Sequence, residues 1–257
     1  KPSLVIHFAG LKSVSESMEN PILYYDVNVN GTINLLKAMD LCGCKEIIFS
    51  SSATVYGVPE YFPVDENHKC NPINTYGRTK YFIEHIIKDW SKNTIEKKAI
   101  ILRYFNPIGA HYSGLIGENY NLSSDNIFPN IVKVALRKDS YLKIFGNNWP
   151  TKDGTTIRDF IHVMDLADAH ISAIDFLNSN KPNLTTLNLG TGQKTTILDL
   201  IRTFENENKI KIPIKYFEKR PGDTPVLLAN GNLAKKILNW EVRNNLSDMC
   251  KDGWNFA

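Results

Sequence analysis

No run in this chain is long and apolar enough to cross a bilayer as a helix, and no charged start, apolar middle and small-residue cleavage site marks a secretory leader. Cysteine is scarce: Cys42, Cys44, Cys70 and Cys250 are the four in 257 residues, with no CxxC pair and no companion histidine at zinc spacing. A disulfide framework and a thiolate metal centre are thereby excluded, and reduced thiols in a cytoplasmic setting are expected. Net charge is small as well, at +3. The lysines are scattered or interleaved with acids, as in Glu96-Lys97-Lys98, which is the pattern of solvated helix faces. Neither nucleic acid nor a membrane is an expected partner, no metal is expected, and no internal repeat or low-complexity segment interrupts the chain.

What is present is enough apolar residue, 42%, to bury a sizeable core. Short β-rich runs near 4–9, 46–51, 99–104 and 186–189 are expected as strands, with helices near 22–41 and 75–91 between the first three. Alternation of this kind predicts an α/β fold, a doubly wound parallel sheet covered on both faces. In the second helix Phe82, Ile83, Ile86, Ile87 and Trp90 recur at helical spacing, a stripe for the sheet or for a partner. After Phe105 the chain becomes turn-rich, then predicts a helix near 127–137 and a strand near 142–145. A helix near 164–177, one near 196–205 opened by Thr196-x-x-Asp199, a strand near 212–217 and helices near 233–238 and 246–254 follow. Two interleaved units are expected. One is a Rossmann-type domain of residues 1–105 with about 160–195; the other is a smaller mixed α/β substrate lobe of about 106–159 and 196–257.

Tyr76 and Lys80 stand four apart in Asn74-Thr-Tyr-Gly-Arg-Thr-Lys80, so on a helix they share a face. Tyrosine ionises near pH 10, and a phenolate at neutral pH needs a shift of about 3 units, roughly 4 kcal/mol. A cation about 4 Å away at an effective dielectric near 20 supplies about that much. On this reading one lysine is nearly sufficient, and the positive nicotinamide ring of NAD+ would supply the rest. A tyrosine and a lysine at this spacing also arise by chance on any helix of this length, so the neighbouring motifs must decide.

Three strand ends carry small or polar residues suited to a ligand crevice: Phe8-Ala9-Gly10, Ser50-Ser51-Ser52 and Tyr104-Phe105-Asn106. Together with Tyr76-xxx-Lys80, the runs Ser50-Ser-Ser-Ala-Thr-Val-Tyr-Gly57, Leu102-Arg-Tyr-Phe-Asn-Pro-Ile-Gly-Ala-His111 and Asp153-Gly-Thr-Thr-Ile-Arg-Asp-Phe-Ile-His-Val-Met-Asp-Leu-Ala167 closely resemble the UDP-galactose (UDP-glucose) 4-epimerase family. That family lies in the extended short-chain dehydrogenase/reductase superfamily, and the similarity runs along the whole chain.

The resemblance implies NAD-dependent interconversion of UDP-galactose and UDP-glucose through transient oxidation at sugar C4. Tyr76 would be the base, Ser52 a hydrogen-bonding relay, and Lys80 the support of the phenol and the nicotinamide ribose. Phe8, Ala9, Lys12, Asn28, Ser50, Tyr104 and Phe105 match positions bordering NAD, although Lys12 and Asn28 also read as an exposed and a turn-bonding side chain. Asn106 would meet the substrate, Asn126 the diphosphate, and Lys143, Ile144 and Phe145 the uracil. Arg158 and Arg220 would clamp the diphosphate with planar donor forks, and Asp223 would hold the uridine ribose. Leu227 matches a position that tunes the sugar pocket. His162 and His170 read as structural residues. The resemblance further implies a homodimer through the helices near 22–41 and 75–91.

One departure from the family stands out. Its opening strand, GxxGxxG turn and helix have no counterpart before Gly10, so about 70 residues of a dinucleotide fold are expected to be missing. On that expectation the sheet has an open edge, the chain by itself binds NAD poorly, and activity belongs to the full-length form. Two other readings stay open: a related nucleotide-sugar dehydratase or decarboxylase, disfavoured because Ala53-Thr54 rather than an acid follows Ser52, and an inactive truncated scaffold.

Overall fold

Strands at the centre of a sheet covered on both sides read as continuous apolar runs, and Ile47-Ile-Phe49 and Ala99-Ile-Ile-Leu102 are such runs. The structure, a computed structural model, describes residues 1–120, 126–179, 182–220 and 223–257. Its chain opens with strand β1 (Leu4–His7), then helices α1 (Val14–Glu19), α2 (Pro21–Tyr24) and α3 (Gly31–Cys42), with a π-helical segment at Tyr25–Asn30. Strand β2 (Glu46–Ser52), a 3₁₀ turn at Ala53–Tyr56, helix α4 (Thr75–Lys92) and strands β3 (Lys98–Tyr104) and β4 (Asn106–Ile108) follow. Next come α5 (Ile127–Ala135), β5 (Leu142–Phe145), β6 (Ile157–Arg158), β7 (Phe160–His162) and α6 (Val163–Asn178). The chain ends with β8 (Leu184–Leu189), β9 (Thr195–Thr196), α7 (Ile197–Asn208), β10 (Ile214–Phe217), β11 (Val226–Leu227), α8 (Asn232–Leu238) and α9 (Leu246–Asn255).

The main sheet runs β1-β2-β3-β8, parallel throughout, with Ser51 opposite Arg103 and Ser52 opposite Tyr104. Side chains alternate across it. Ile47, Phe49, Ala99 and Ile101 face α3 and α4 in one apolar cluster, whereas Ile48, Ile100, Leu102, Leu187 and Leu189 face α6 and α8 in another. The doubly wound α/β expectation therefore holds. A third cluster joins Phe128, Ile131, Ile144, Phe160, Phe204 and Met249 away from the sheet, using α5, α7, α9 and the β5–β10 pair. Helix α8 differs from the expected division: Ala234, Leu238 and Trp240 pack on the main sheet rather than with the second cluster.

The helix expected near 22–41 is interrupted. Asn20 separates it from α1, Pro21 starts α2 at a position that needs no N–H donor, and within the expected range the interruption is the π-helical segment alone, which widens the middle. Helix α4 matches its expectation closely, because the Asn74 side chain caps the Gly77 amide at 2.7 Å. Its apolar stripe divides: Ile83 and Ile87 are buried on the sheet, and Phe82 stays exposed. Thr196 and Asp199 form the expected capping box of α7.

One buried carboxylate joins the two parts of the molecule. Asp159, between β6 and β7, accepts hydrogen bonds from the Thr191 amide at 2.8 Å, the Thr191 hydroxyl at 2.7 Å, the Gly192 amide at 2.9 Å and the Ala229 amide at 3.0 Å. Its own carbonyl accepts the Asn106 amide at 3.0 Å.

Candidate active site

Strand β2 delivers three serines whose side chains alternate. Ser50 and Ser52 face the α6 side of the sheet, and Ser51 faces α4, where its hydroxyl donates to Glu84 Oε1 at 2.5 Å. The turn after β2 fixes Ser52: its hydroxyl accepts from the Thr54 amide at 3.3 Å and from the Thr54 hydroxyl at 2.9 Å. The first turn of α4 lies against this turn. A Cβ on Gly77 would come within 2.8 Å of the Thr54 carbonyl oxygen, so the helix approaches this closely only with glycine there. That approach seats the first turn of α4, which carries Tyr76, against the turn that holds Ser52.

Lys80 is buried one turn further along α4, and its ammonium donates to the Ser50 carbonyl at 2.8 Å. It lies 4.9 Å from the Phe49 ring centroid and 5.8 Å from that of Tyr76. Burial lowers its pKa to about 8, against the pull of Glu84. The Tyr76 phenol moves the other way. Burial raises it above the ordinary tyrosine range, and only the Ser52 hydrogen bond opposes that. This corrects the expectation that one lysine nearly suffices. The ammonium is directed at a backbone carbonyl, so in the chain alone desolvation outweighs its field on the phenol.

The other strand ends converge here. Tyr104, at the end of β3, stands opposite Ser52 in the sheet register. Its hydroxyl lies 2.5 Å from His170 Nε2, and His170 Nδ1 lies 2.7 Å from the Leu166 carbonyl. A carbonyl can only accept, so Nδ1 carries the proton and Nε2 accepts from Tyr104. Phe8, exposed at the end of β1, packs its ring 5.0 Å from His170. Ala9 is exposed beside it, and Phe105 is buried beneath the turn after β2.

Two expected cofactor neighbours have other partners. The Asn28 amide accepts from the Leu11 amide at 2.7 Å and donates to the Leu11 carbonyl and the Thr79 hydroxyl, each at 3.1 Å. It shapes the loop after β1, which is the turn-bonding alternative. Lys12 is exposed and pairs with Glu118 at 3.0 Å.

A second group lies along β5, β6 and the segment before β11. Arg158 donates to the Thr224 carbonyl at 2.8 Å and lies 3.7 Å from the Asp223 carboxylate. The Arg220 guanidinium stacks 3.7 Å over the Phe145 ring, and Phe217 closes the aromatic surface 6.0 Å from Phe145. The two residues between Arg220 and Asp223 lie outside the described residues. Lys143 reaches over Phe217 at 5.5 Å. Ile144 differs from expectation: strand alternation turns its side chain into the apolar core, so only its backbone faces the side of Lys143 and Phe145. Asn126 stands at the N-cap position of α5 without a side-chain capping bond, and its carbonyl accepts from the Asn130 side chain at 2.9 Å. Between the two groups, Asn106 Oδ1 is buried with no hydrogen-bond partner. A buried amide oxygen left so is costly, and a ligand donor would relieve it.

Sequence reasoning missed a buried network beneath the serines. Arg103 makes a two-pronged pair with Glu84, Nε to Oε1 at 3.0 Å and Nη2 to Oε2 at 2.6 Å, and donates from Nη1 to the Tyr56 hydroxyl at 2.9 Å. Tyr56 then donates to Asn188 Oδ1 at 2.6 Å. The one signal for it in sequence was a glutamate four residues after Lys80. His162 is structural: its Nδ1 caps α6 by accepting the Met164 amide, and its Nε2 faces Asp252 at 3.2 Å. Cavities of about 190 and 650 Å³, beside Gly190–Gly192 and beside Arg137 and Lys209, are lined by neither Tyr76 nor Lys80.

Comparison with known proteins agrees with this geometry. The sequence profile of the family described as GDP-mannose 4,6 dehydratase matches residues 1–253. UDP-glucose 4-epimerase 2 of Arabidopsis thaliana is 48% identical over 253 residues, which are 98% of this chain and 72% of that protein. A bifunctional UDP-glucose and UDP-xylose 4-epimerase of Pisum sativum is 46% identical over 98% of this chain and 73% of its own length. Among solved structures, the UDP-glucose 4-epimerase of Stenotrophomonas maltophila with bound NAD and formylated UDP-arabinopyranose superposes with a TM-score of 0.95 at 42% identity, covering 99% of this chain and 75% of that one. The Bifidobacterium longum enzyme in complex with NAD+ and UDP gives 0.94 at 40% identity, covering 99% and 76%. The parallel-sheet architecture, the serine at the end of β2 with the tyrosine and lysine at the start of α4, and identity at this level together place the chain in the extended short-chain dehydrogenase/reductase superfamily, within the family of the UDP-glucose 4-epimerases.

Proposed function

We propose that the protein carrying this chain interconverts UDP-galactose and UDP-glucose by reversible oxidation at sugar C4, with NAD as its cofactor. The observation that supports it most is the close seating of the first turn of α4, which carries Tyr76, against the turn that holds Ser52, with Lys80 buried one turn behind, in a chain 48% identical to a UDP-glucose 4-epimerase.

The residues fit the nicotinamide and ribose end of NAD. Lys80 makes one hydrogen bond, to Ser50, and as an ammonium has further N–H groups for ribose hydroxyls. Phe8 offers an exposed ring at a strand end, and Ser50, Tyr104 and Phe105 border it. Bound there, NAD supplies a reversible two-electron acceptor for C4. Tyr76 takes the proton of the 4-hydroxyl, and Ser52 holds that hydroxyl in line through its own oxygen. Lys80, as an ammonium one turn away, stabilises the phenolate. The same groups give the proton back to the 4-oxygen, and because the hydride would return to C4 on its opposite face, the net reaction consumes no oxidant.

Arg158, Arg220 and Asp223 hold the nucleotide: the guanidiniums face the diphosphate, and the carboxylate takes a ribose hydroxyl. Phe145, with Lys143 and the Ile144 backbone, borders the uracil. Asn106 meets the sugar through the oxygen that lacks a donor, and Asn126 lies toward the diphosphate. Firm anchoring of the nucleotide with sparse contacts to the sugar lets the hexose turn between its two orientations. On this assignment residues 1–105 with about 160–195 form the cofactor-binding domain, and about 106–159 with 196–257 the nucleotide-sugar lobe, α8 lying on the sheet side.

We further infer a homodimer. The faces of α2 and α4 expose Ile22, at 78%, with Leu23 and Phe82, and Phe82 packs 6.0 Å from Tyr25 across them. A cytoplasmic location belongs to the same reading.

The test is turnover of the full-length protein with UDP-galactose and NAD. UDP-glucose should form without net NADH, and Tyr76→Phe should lower kcat about 10²–10⁴-fold while UDP binding persists. A 4-keto-6-deoxy product would instead support a dehydratase, and unchanged Tyr76→Phe turnover would remove Tyr76 as the base.

A further inference from the structure

We infer that Glu84 is a positioning residue for this chemistry: its buried carboxylate bolts α4 to the ends of β2 and β3 and keeps the Lys80 amine an ammonium. The inference rests on the proposed epimerase reading.

The geometry carries it. A carboxylate on the buried face of a helix is costly unless every oxygen is paired, and both Glu84 oxygens are. Oε1 accepts from Ser51, the residue between Ser50 and Ser52, and from Arg103, the neighbour of Tyr104; Oε2 accepts from Arg103 as well. Ser51 and Arg103 are opposite one another in the sheet register. One side chain thus sets where α4 stands relative to both strand ends. Tyr76 and Lys80 ride on that helix, two turns and one turn before it.

The charges around Lys80 are few. From α4 it faces Glu84 and the neutral Tyr76; from β2, the Ser50 carbonyl and the Phe49 ring. From β1 it faces His7, which burial and the nearness of Lys80 hold to a pKa of about 4, so the ring is uncharged at neutral pH. Around Glu84 lie Arg103, Ser51 and Cys70, whose thiol burial keeps protonated. Among the described residues Glu84 is therefore the anionic group acting on Lys80, and its charge opposes the burial that brings this lysine to about 8.

The test uses full-length protein labelled with [13Cε]lysine, in which the Lys80 resonance is identified by its absence from Lys80→Met and titrated without substrate. In Glu84→Gln the Lys80 midpoint should fall by about one unit or more. The high-pH limb of kcat should move to lower pH by the same amount, with KM for UDP-galactose within about twofold. Glu84→Asp should recover part of both. Because Glu84→Gln orphans Arg103, the double variant Glu84→Gln/Arg103→Met restores a neutral, packed interior and keeps the test open if the single variant fails to fold. A Lys80 midpoint lower in the double variant than in Arg103→Met, which removes the same arginine and keeps the carboxylate, supports the inference. Equal midpoints in that pair, or an unmoved one in Glu84→Gln, overturn it and leave Glu84 a packing residue. Failure of the epimerase reading shows separately, in wild-type turnover.

Discussion

At the scale of single residues the site is a set of groups held away from their ordinary ionisation. The folded-state pKa of Lys80 falls from 10.5 to about 8. Between those values the unfolded chain holds the proton and the native chain does not, so this residue adds stability as pH rises through about 8 to 10.5 and withholds it below. Relative to wild type, Lys80→Met should therefore be most favoured below pH 8, and roughly 3 kcal/mol of that advantage should disappear by pH 10.5. Urea denaturation of both proteins across pH 7–10.5 checks this; a pH-independent difference would contradict it. Tyr76, Lys80 and Ser52 were legible in sequence because helical spacing and strand ends are local patterns. Glu84 and Arg103 were not, since a pairing across 19 residues depends on how a helix docks on a sheet. Asn28 was legible as a residue, but its use by Leu11 needed the loop to be folded.

At the scale of elements the decisive contact is between the first turn of α4 and the 3₁₀ turn at Ala53–Tyr56. Gly77 permits it, with the Thr54 carbonyl and the Pro72 side chain 2.8 and 3.0 Å from where a Cβ would stand. Gly77→Ala should cost about 1–3 kcal/mol of stability and lower kcat by more than this loss explains, because it parts Tyr76 from Ser52. Thermal denaturation alongside kcat and KM decides the point: a stability loss with unchanged kcat would show the approach is not needed for turnover. Long elements with a clear apolar period were read to within a few residues, α4 and α6 among them. The strands of two or three residues at Asn106–Ile108, Ile157–Arg158, Thr195–Thr196 and Val226–Leu227 carry too few side chains for any period to show. The interruption at Tyr25–Asn30 was hidden for another reason: a π-helical turn keeps the composition of the α-helix around it.

For the whole molecule, the exposed apolar face on α2 and α4 leads to a prediction about assembly. The double variant Ile22→Glu/Phe82→Glu places charge where Ile22 is 78% and Phe82 45% exposed, so it leaves the core untouched. Sedimentation should show a dimer for wild-type full-length protein and a monomer for the variant, with far-UV circular dichroism unchanged; an unaltered dimer would move the interface elsewhere. The two-sided sheet was legible from alternation alone, whereas the position of α8 on it was not, because Ala234, Leu238 and Trp240 meet partners far earlier in the chain. Asp159 is a different kind of long connection. Its carboxylate gathers amides 32, 33 and 70 residues away. Closures of that span become favourable only once the intervening chain is ordered. Loss of the Asp159 carboxylate would therefore release the Thr191, Gly192 and Ala229 amides together, and their hydrogens would exchange with solvent as one group.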